Sequence, residues 1–128
     1  MIRLPYVVWC GKPSPVVEVT LKRGKDRVRT TAYVDTGASF SFFHSDFCSA
    51  LGLDLKKGAK MEVRLGDGDK MPVYVHRVGL RIETLEVRCD IVFSKRLGSG
   101  INILGRQGLL DKYKVTFDGK RKEIVWYD

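Results

Sequence analysis

A chain of 128 residues can bury one hydrophobic core, and its 44% apolar and 30% charged residues are ordinary for a globular protein. The net charge of +8 favours anionic partners, but the cations are scattered, so we expect a solvated basic surface and no specific nucleic-acid partner. The apolar runs are too short to cross a membrane and the first residues do not resemble a signal peptide, so we expect one cytoplasmic domain, residues 1–128, without a membrane partner.

The first predicted element is a β-hairpin that leads to an aspartate. Apolar and polar residues alternate through 17–21 and again through 28–34, which is the periodicity of β-strands. The turn at 23–26 contains a glycine and joins the two strands. The second strand therefore delivers the chain to Asp35.

Two short helices are predicted. Ser45 is expected to cap a helix over residues 46–51, and Gly52 would end it. The second helix covers roughly residues 107–112.

The remaining segments are predicted strands. A second hairpin has strands at 61–65 and 71–75 with a glycine-containing tip at 66–69, and the longest clean alternation covers 85–93. A last hairpin runs from Val115 through the Asp-Gly turn at 118–119 to Trp126. Many short strands with little helix predict an all-β fold, a compact barrel or sandwich.

The three cysteines predict neither a disulfide framework nor a metal site. Cys10, Cys48 and Cys89 are far apart, and neither His44 nor His76 has a Cys or His at ligand spacing. We expect buried or half-buried free thiols, no metal and no cofactor.

The chemical signal is the segment Asp35-Thr36-Gly37-Ala38-Ser39. An apolar strand carries a carboxylate to its end, where a hydroxyl residue and a glycine turn the chain. The alternative is an ordinary tight turn in which the Asp35 carboxylate binds local amides.

The order of the motifs makes the first interpretation stronger. Seventy residues beyond Asp35 (105 − 35 = 70), the apolar segment 101–104 ends at Gly105-Arg106 and is followed by the predicted short helix. The glycine-tipped hairpin lies between the two motifs. This order, from about Val16 to Phe117, resembles the retropepsin-like aspartic peptidases, with their catalytic loop, flap hairpin and apolar-apolar-Gly-Arg segment.

The resemblance implies a closed small β-barrel of the acid-protease fold with one or two short helices. It also implies an aspartic endopeptidase that hydrolyses peptides or proteins. Since the chain has one Asp-Thr-Gly, the resemblance implies a symmetric homodimer in which two Asp35 carboxylates share one proton and activate a water.

The resemblance also assigns roles in the catalytic loop. Asp35 matches the catalytic aspartate, Thr36 the threonine that joins the two loops across the dimer axis, and Gly37 the glycine that admits the substrate backbone. Ala38 and Ser39 are expected to bind substrate. Many retroviral enzymes carry an aspartate at the position of Ser39, and that aspartate pairs with an arginine at the position of Arg106. Ser39 cannot form this ion pair, so the partner of Arg106 stays open.

In the flap, Gly66, Asp67 and Gly68 are expected to bind substrate, and the alternative is an exposed hairpin turn. Asp67 and Asp69 do not form a calcium loop, because the required later Glu is missing. Side-chain pockets are expected around Val34, Val73 or Val75, and near Ile101.

Two other functions and one structural question stay open at this point. The functions are a catalytically weak peptide-binding dimer of the same fold, and a basic β-barrel that stacks nucleic-acid bases. The aromatic residues for stacking would be Tyr6, Trp9, Phe42, Phe43, Trp126 and Tyr127. The apolar tail at 124–128 could pair at a subunit interface or complete the last hairpin within the chain.

Overall fold

A computed structural model describes residues 1–64, 67–98 and 100–128, and strands dominate it. The strands are β1 (Ile2–Pro5), β2 (Val7–Trp9), β3 (Lys12–Ser14), β4 (Val16–Arg23), β5 (Asp26–Val34), β6 (Ser41–His44), β7 (Ala59–Arg64), β8 (Lys70–Ile82), β9 (Leu85–Ser94), β10 (Asn102–Leu104), β11 (Lys114–Asp118) and β12 (Glu123–Tyr127). Helix α1 spans Asp46–Ala50, and 3-10 helices span Leu55–Lys57 and Leu110–Lys112.

The main sheet closes into a barrel. Its strands follow the order β4-β5-β10-β6-β9-β8-β7, and β4 also pairs with β8, which closes a ring of six strands with β7 attached to β8. Alternate residues point inward, so that Val19 and Leu21 of β4 are 1% and 0% exposed. The predicted all-β closed barrel is confirmed.

Strand β10 is what joins the two distant motifs. It pairs in parallel with β5, in a register that sets Leu104 opposite Val34, and antiparallel with β6. The buried Asn102 side chain holds both neighbours, because its amide donates to the Thr31 carbonyl (3.0 Å) and its oxygen accepts from the His44 amide (3.1 Å). The ends of β5 and β10 therefore meet at one place.

The hairpin predictions are largely confirmed. The first is β4–β5 and the last is β11–β12. The flap hairpin is β7–β8, although Leu65 and Gly66 lie outside the described residues. Strand β8 runs on to Ile82 in an alternation, with Val78 and Leu80 buried, that the prediction overlooked.

The helix predictions need correction. Ser45 has helical backbone angles and makes no capping hydrogen bond, and His44 Nδ1 instead accepts from the Asp46 amide (3.1 Å). Gly52 does follow the helix, with φ +67°. Over 107–112 only the last three residues form a 3-10 helix, because Gly108 at φ +76° is in the left-handed region and interrupts a continuous helix.

A second, three-stranded sheet has the order β1-β12-β11. Strand β12 lies in its middle, so both of its hydrogen-bonding edges are used within the chain. Of the two alternatives for the tail, the intrachain hairpin is the one observed. Phe43 and Trp126 are both 0% exposed, which removes these two aromatics from any base-stacking surface.

The cysteines are free, as expected, but they differ in exposure. Cys48 and Cys89 are buried, whereas Cys10 is exposed at the turn between β2 and β3, which corrects the expectation that all three are covered. Burial raises the pKa of Cys48 and of Cys89 to about 11. No helix in the described part of the chain is long and apolar enough to span a membrane.

We expect one fast thiol and two protected ones when the folded protein meets a thiol reagent near pH 8. The thiolate is the reactive species, and groups with a pKa of about 11 hold almost none of it at that pH. Mass spectrometry should show one label on the native chain, none on Cys10→Ser, and three after unfolding in denaturant. Rapid double labelling of the native protein would contradict the burial.

Candidate active site

Asp35 lies directly after β5 in a tight turn that fixes its carboxylate. Its amide donates to the Leu104 carbonyl (2.9 Å), and its Oδ1 accepts from the Gly37 amide (2.8 Å). Oδ2 has no hydrogen-bond partner within the described residues, and the side chain is only half-buried. One carboxylate oxygen is therefore held in place and the other is open to a ligand.

The alternative interpretation was an ordinary tight turn in which the Asp35 carboxylate binds local amides. That hydrogen bond is present, and it does not prevent Asp35 from acting as a catalytic group. A hydrogen bond to Oδ1 orients the carboxylate, as a catalytic group requires. It engages only one of the two oxygens.

Gly105 sits beneath this turn and has no room for a side chain. A Cβ there would be 2.2 Å from the Phe40 carbonyl oxygen and 2.9 Å from that of Ala38, both backbone atoms. The Gly105 amide donates to Ser41 Oγ (2.9 Å). This close approach explains why a glycine ends the apolar strand β10.

Arg106 anchors the same turn from the far motif. Its guanidinium donates to the Thr36 carbonyl (2.7 Å) and to Ser39 Oγ (3.2 Å), and its amide donates to the Ala38 carbonyl (3.0 Å). The sequence left the partner of Arg106 open. The structure supplies a hydroxyl and a carbonyl in place of the missing carboxylate.

A cleft of about 360 Å³ opens above Asp35 and Ala38. Its walls come from β6, the two flap strands, the loop after β9, and β10. The apolar lining residues are Phe42, Val63, Met71, Leu97, Ile101 and Ile103. Arg64 and Arg96 also line it, although neither arginine stands in a sequence motif that predicts this position.

The predicted catalytic-loop residues fall into two groups. Asp35 and Ala38 line the cleft, whereas Thr36, Gly37 and Ser39 are exposed beside it. This leaves one side of the turn uncovered in the single chain.

The predicted flap residues stand apart from the cleft floor. Asp67 and Gly68 are exposed at the tip of β7–β8, and Asp67 Oδ1 accepts from the Asp69 amide (3.0 Å). They are not among the residues that line the cleft in the described part of the chain. Gly66 lies outside the described residues.

The predicted pocket residues were partly wrong. Val34 and Val73 are buried, at 2% and 0% exposed, and do not line the cleft, and Val75 lines a different groove. Val73 lies opposite Met61 and Val75 opposite Ala59, so the pairing of the two flap strands continues beyond Met71, the one residue of β8 that lines the cleft in the described part of the chain. The expectation near Ile101 agrees with the lining.

Residues 17–107 match the family model described as aspartyl protease. The chain belongs to the aspartyl protease family. The matched segment contains the Asp35 turn, the described flap strands and Gly105-Arg106. No match was found among curated proteins.

Solved protease structures share the fold, and two of them cover most of this chain. A retropepsin-like aspartic protease from Rickettsia conorii superposes with a TM-score of 0.72 at 20% identity, covering 97% of each chain. EIAV protease complexed with the inhibitor HBY-793 gives 0.57 at 18% identity, covering 83% of this chain and 94% of that one. The retropepsin-like resemblance is confirmed.

Proposed function

We propose that this aspartyl protease family member is an endopeptidase whose active site forms between two copies of the chain, each supplying Asp35. The observation that carries the proposal is a single oriented carboxylate at the floor of a cleft. Asp35 is the one acidic side chain lining that cleft in the described part of the chain. Hydrolysis of the aspartic type needs two carboxylates, so the second must come from elsewhere.

A second copy related by a two-fold axis is the simplest source. Such an axis would place the same turn of both chains face to face. Thr36 and Gly37, exposed in the single chain, are the residues available for that contact. We propose that Thr36 meets the partner's loop and that Gly37 leaves space for the substrate backbone.

Two carboxylates held close together cannot both be ionised, so they retain one shared proton. The ionised group takes a proton from a water as its oxygen attacks the peptide carbonyl carbon, and the protonated group donates to the carbonyl oxygen. Collapse of the tetrahedral intermediate breaks the C–N bond: the amine leaves with the proton taken from water, and one hydroxyl of the intermediate returns its proton to the other carboxylate, which restores the shared proton. The two groups titrate as a unit, so neither copy has a fixed role.

The remaining residues hold the substrate in this proposal. Ala38 and Ser39 border the path of an extended peptide, and the β7–β8 hairpin with Asp67 and Gly68 at its tip closes over it. Backbone hydrogen bonds would hold the peptide and the apolar walls would accept its side chains.

The proposal predicts that activity per chain falls on dilution. Peptide hydrolysis and mass in solution are measured over the same range of protein concentrations. Specific activity should decline in step with the dimer fraction, because a separated chain has one carboxylate. Constant specific activity in a range where only single chains are present would contradict the shared site.

A second prediction concerns pH. Ala38 brings no hydroxyl to help hold a neighbouring carboxylate ionised, so we expect a mildly acidic to neutral optimum. In Ala38→Thr the added donor should move the optimum to lower pH, by about half a unit to one unit. The measurement is kcat/KM against pH, with Ala38→Val as the control of similar size. A native optimum below about 3, beneath the ordinary Asp pKa, would contradict the prediction.

A further inference from the structure

The cleft is positively charged on two of its walls. Arg64 ends the flap strand β7, and Arg96 follows β9 in the loop that leads towards β10. The two residues belong to different elements, yet they line the same cleft as Asp35.

Neither guanidinium has a partner in the part of the chain that the structure describes. Within the described residues no hydrogen bond or ion pair engages the side chain of Arg64 or Arg96, whereas Arg3, Arg29 and Arg77 each pair with a carboxylate. Unpaired arginines at a cleft are available to a ligand, and the guanidinium fork matches a carboxylate geometrically.

The backbone of Arg96 is held firmly at the cleft. Ser94 is 2% exposed, and its hydroxyl donates to the Arg96 carbonyl (2.5 Å) and accepts from the Arg96 amide (3.3 Å). This small turn fixes where the Arg96 side chain begins. The Arg96 side chain itself is exposed, so an ionic contact there stays partly solvated.

We propose that the cleft selects peptides that carry a Glu or Asp side chain next to apolar residues, with Arg64 and Arg96 as the specificity-determining residues. As a statement about cleavage this inference rests on the proposed endopeptidase function, while as a statement about binding it does not. In a two-fold assembly each copy contributes both arginines, so the preference holds on both sides of the cleavage point.

The test uses the full chain carrying Asp35→Asn, so that peptides are bound and not consumed. Fluorescent decapeptides with an apolar host sequence carry Glu or Gln at each position in turn, and affinity is measured by anisotropy. We expect at least one position where Glu binds about five- to tenfold more tightly than Gln, the range for a partly solvated charge-assisted contact. High salt, and pH below about 4 where Glu is protonated, should reduce the difference.

The variant Arg64→Gln/Arg96→Gln, made in the Asp35→Asn chain, should remove most of this preference. The control is Arg27→Gln, at the far end of β5 and eight residues (35 − 27) from Asp35, or about 26 Å at roughly 3.3 Å per residue. Mass in solution verifies that assembly is unchanged in all variants.

Equal affinity for Glu and Gln peptides at every position, or a preference that survives in the double variant, would overturn the inference. Cleavage by the native chain without acidic preference would also overturn it and leave the proposed function intact. Arginine-dependent binding of Glu peptides by a native chain that hydrolyses none of them would support the inference while the proposed function failed.

Discussion

Asp35→Asn should lower peptide hydrolysis by about a thousandfold or more, the range of a general acid–base contribution. Asparagine keeps the shape of the side chain and can still accept from the Gly37 amide, so the turn should persist. It cannot take the proton from water. The measurement is kcat/KM on a peptide that the native chain cleaves, with mass in solution recorded for both proteins.

Asp111→Asn is the matched control, because Asp111 is an exposed carboxylate in the 3-10 helix and does not line the cleft. Its activity should equal that of the native chain. Hydrolysis by Asp35→Asn at a rate comparable to the native rate would rule out the catalytic assignment. A native chain that binds peptides without cleaving them would favour the alternative function, a catalytically weak peptide-binding dimer of the same fold.

Gly105→Ala should destabilise the protein by about 3 kcal/mol or more, at the upper end of what overpacking costs. The new Cβ would lie 2.2 Å from the Phe40 carbonyl oxygen, a backbone atom that cannot swing aside as a side chain would. The free energy of unfolding, measured in denaturant, reports the loss. Activity should fall as well. The carbonyl of the preceding residue, Leu104, accepts the hydrogen bond from the Asp35 amide, so a shift of Gly105 would displace Asp35.

Gly119→Ala is the comparison, because a Cβ there meets nothing within 4 Å and the residue has no positive φ. Its free energy of unfolding should stay within about 0.5 kcal/mol of the native value, as for most surface changes. A Gly105→Ala protein as stable as Gly119→Ala would show that the turn can move away from β10.

The alternation of apolar and polar residues predicted most strands correctly, because it follows the buried and exposed faces of each strand. In β4 and β9 the alternation of apolar and polar residues corresponds to the inside and outside of the barrel. Short elements were missed where this signal is brief. Strands β2 and β3 have three residues each, too few for an alternation to be read.

Other errors came from interactions that have no local signature. Ser45 has the side chain of a helix cap, but its backbone is already helical and its hydroxyl makes no capping hydrogen bond, while the neighbouring His44 ring accepts from the Asp46 amide. Val73 has the same strand parity as the cleft residue Met71, but it is fully buried opposite Met61 of β7 and does not line the cleft. Each outcome depends on where another element packs.

The amino-acid sequence by itself determined the all-β class, the position of the Asp35 turn and its family, because alternation and short motifs are properties of neighbouring residues. Only the tertiary structure decided what surrounds that turn. Arg106 contacts Thr36 and Ser39 because strand pairings bring together residues that are far apart in the chain. The same kind of pairing brings Arg64 and Arg96 to the cleft. Such distances are set by the closure of the barrel, and no local pattern records them.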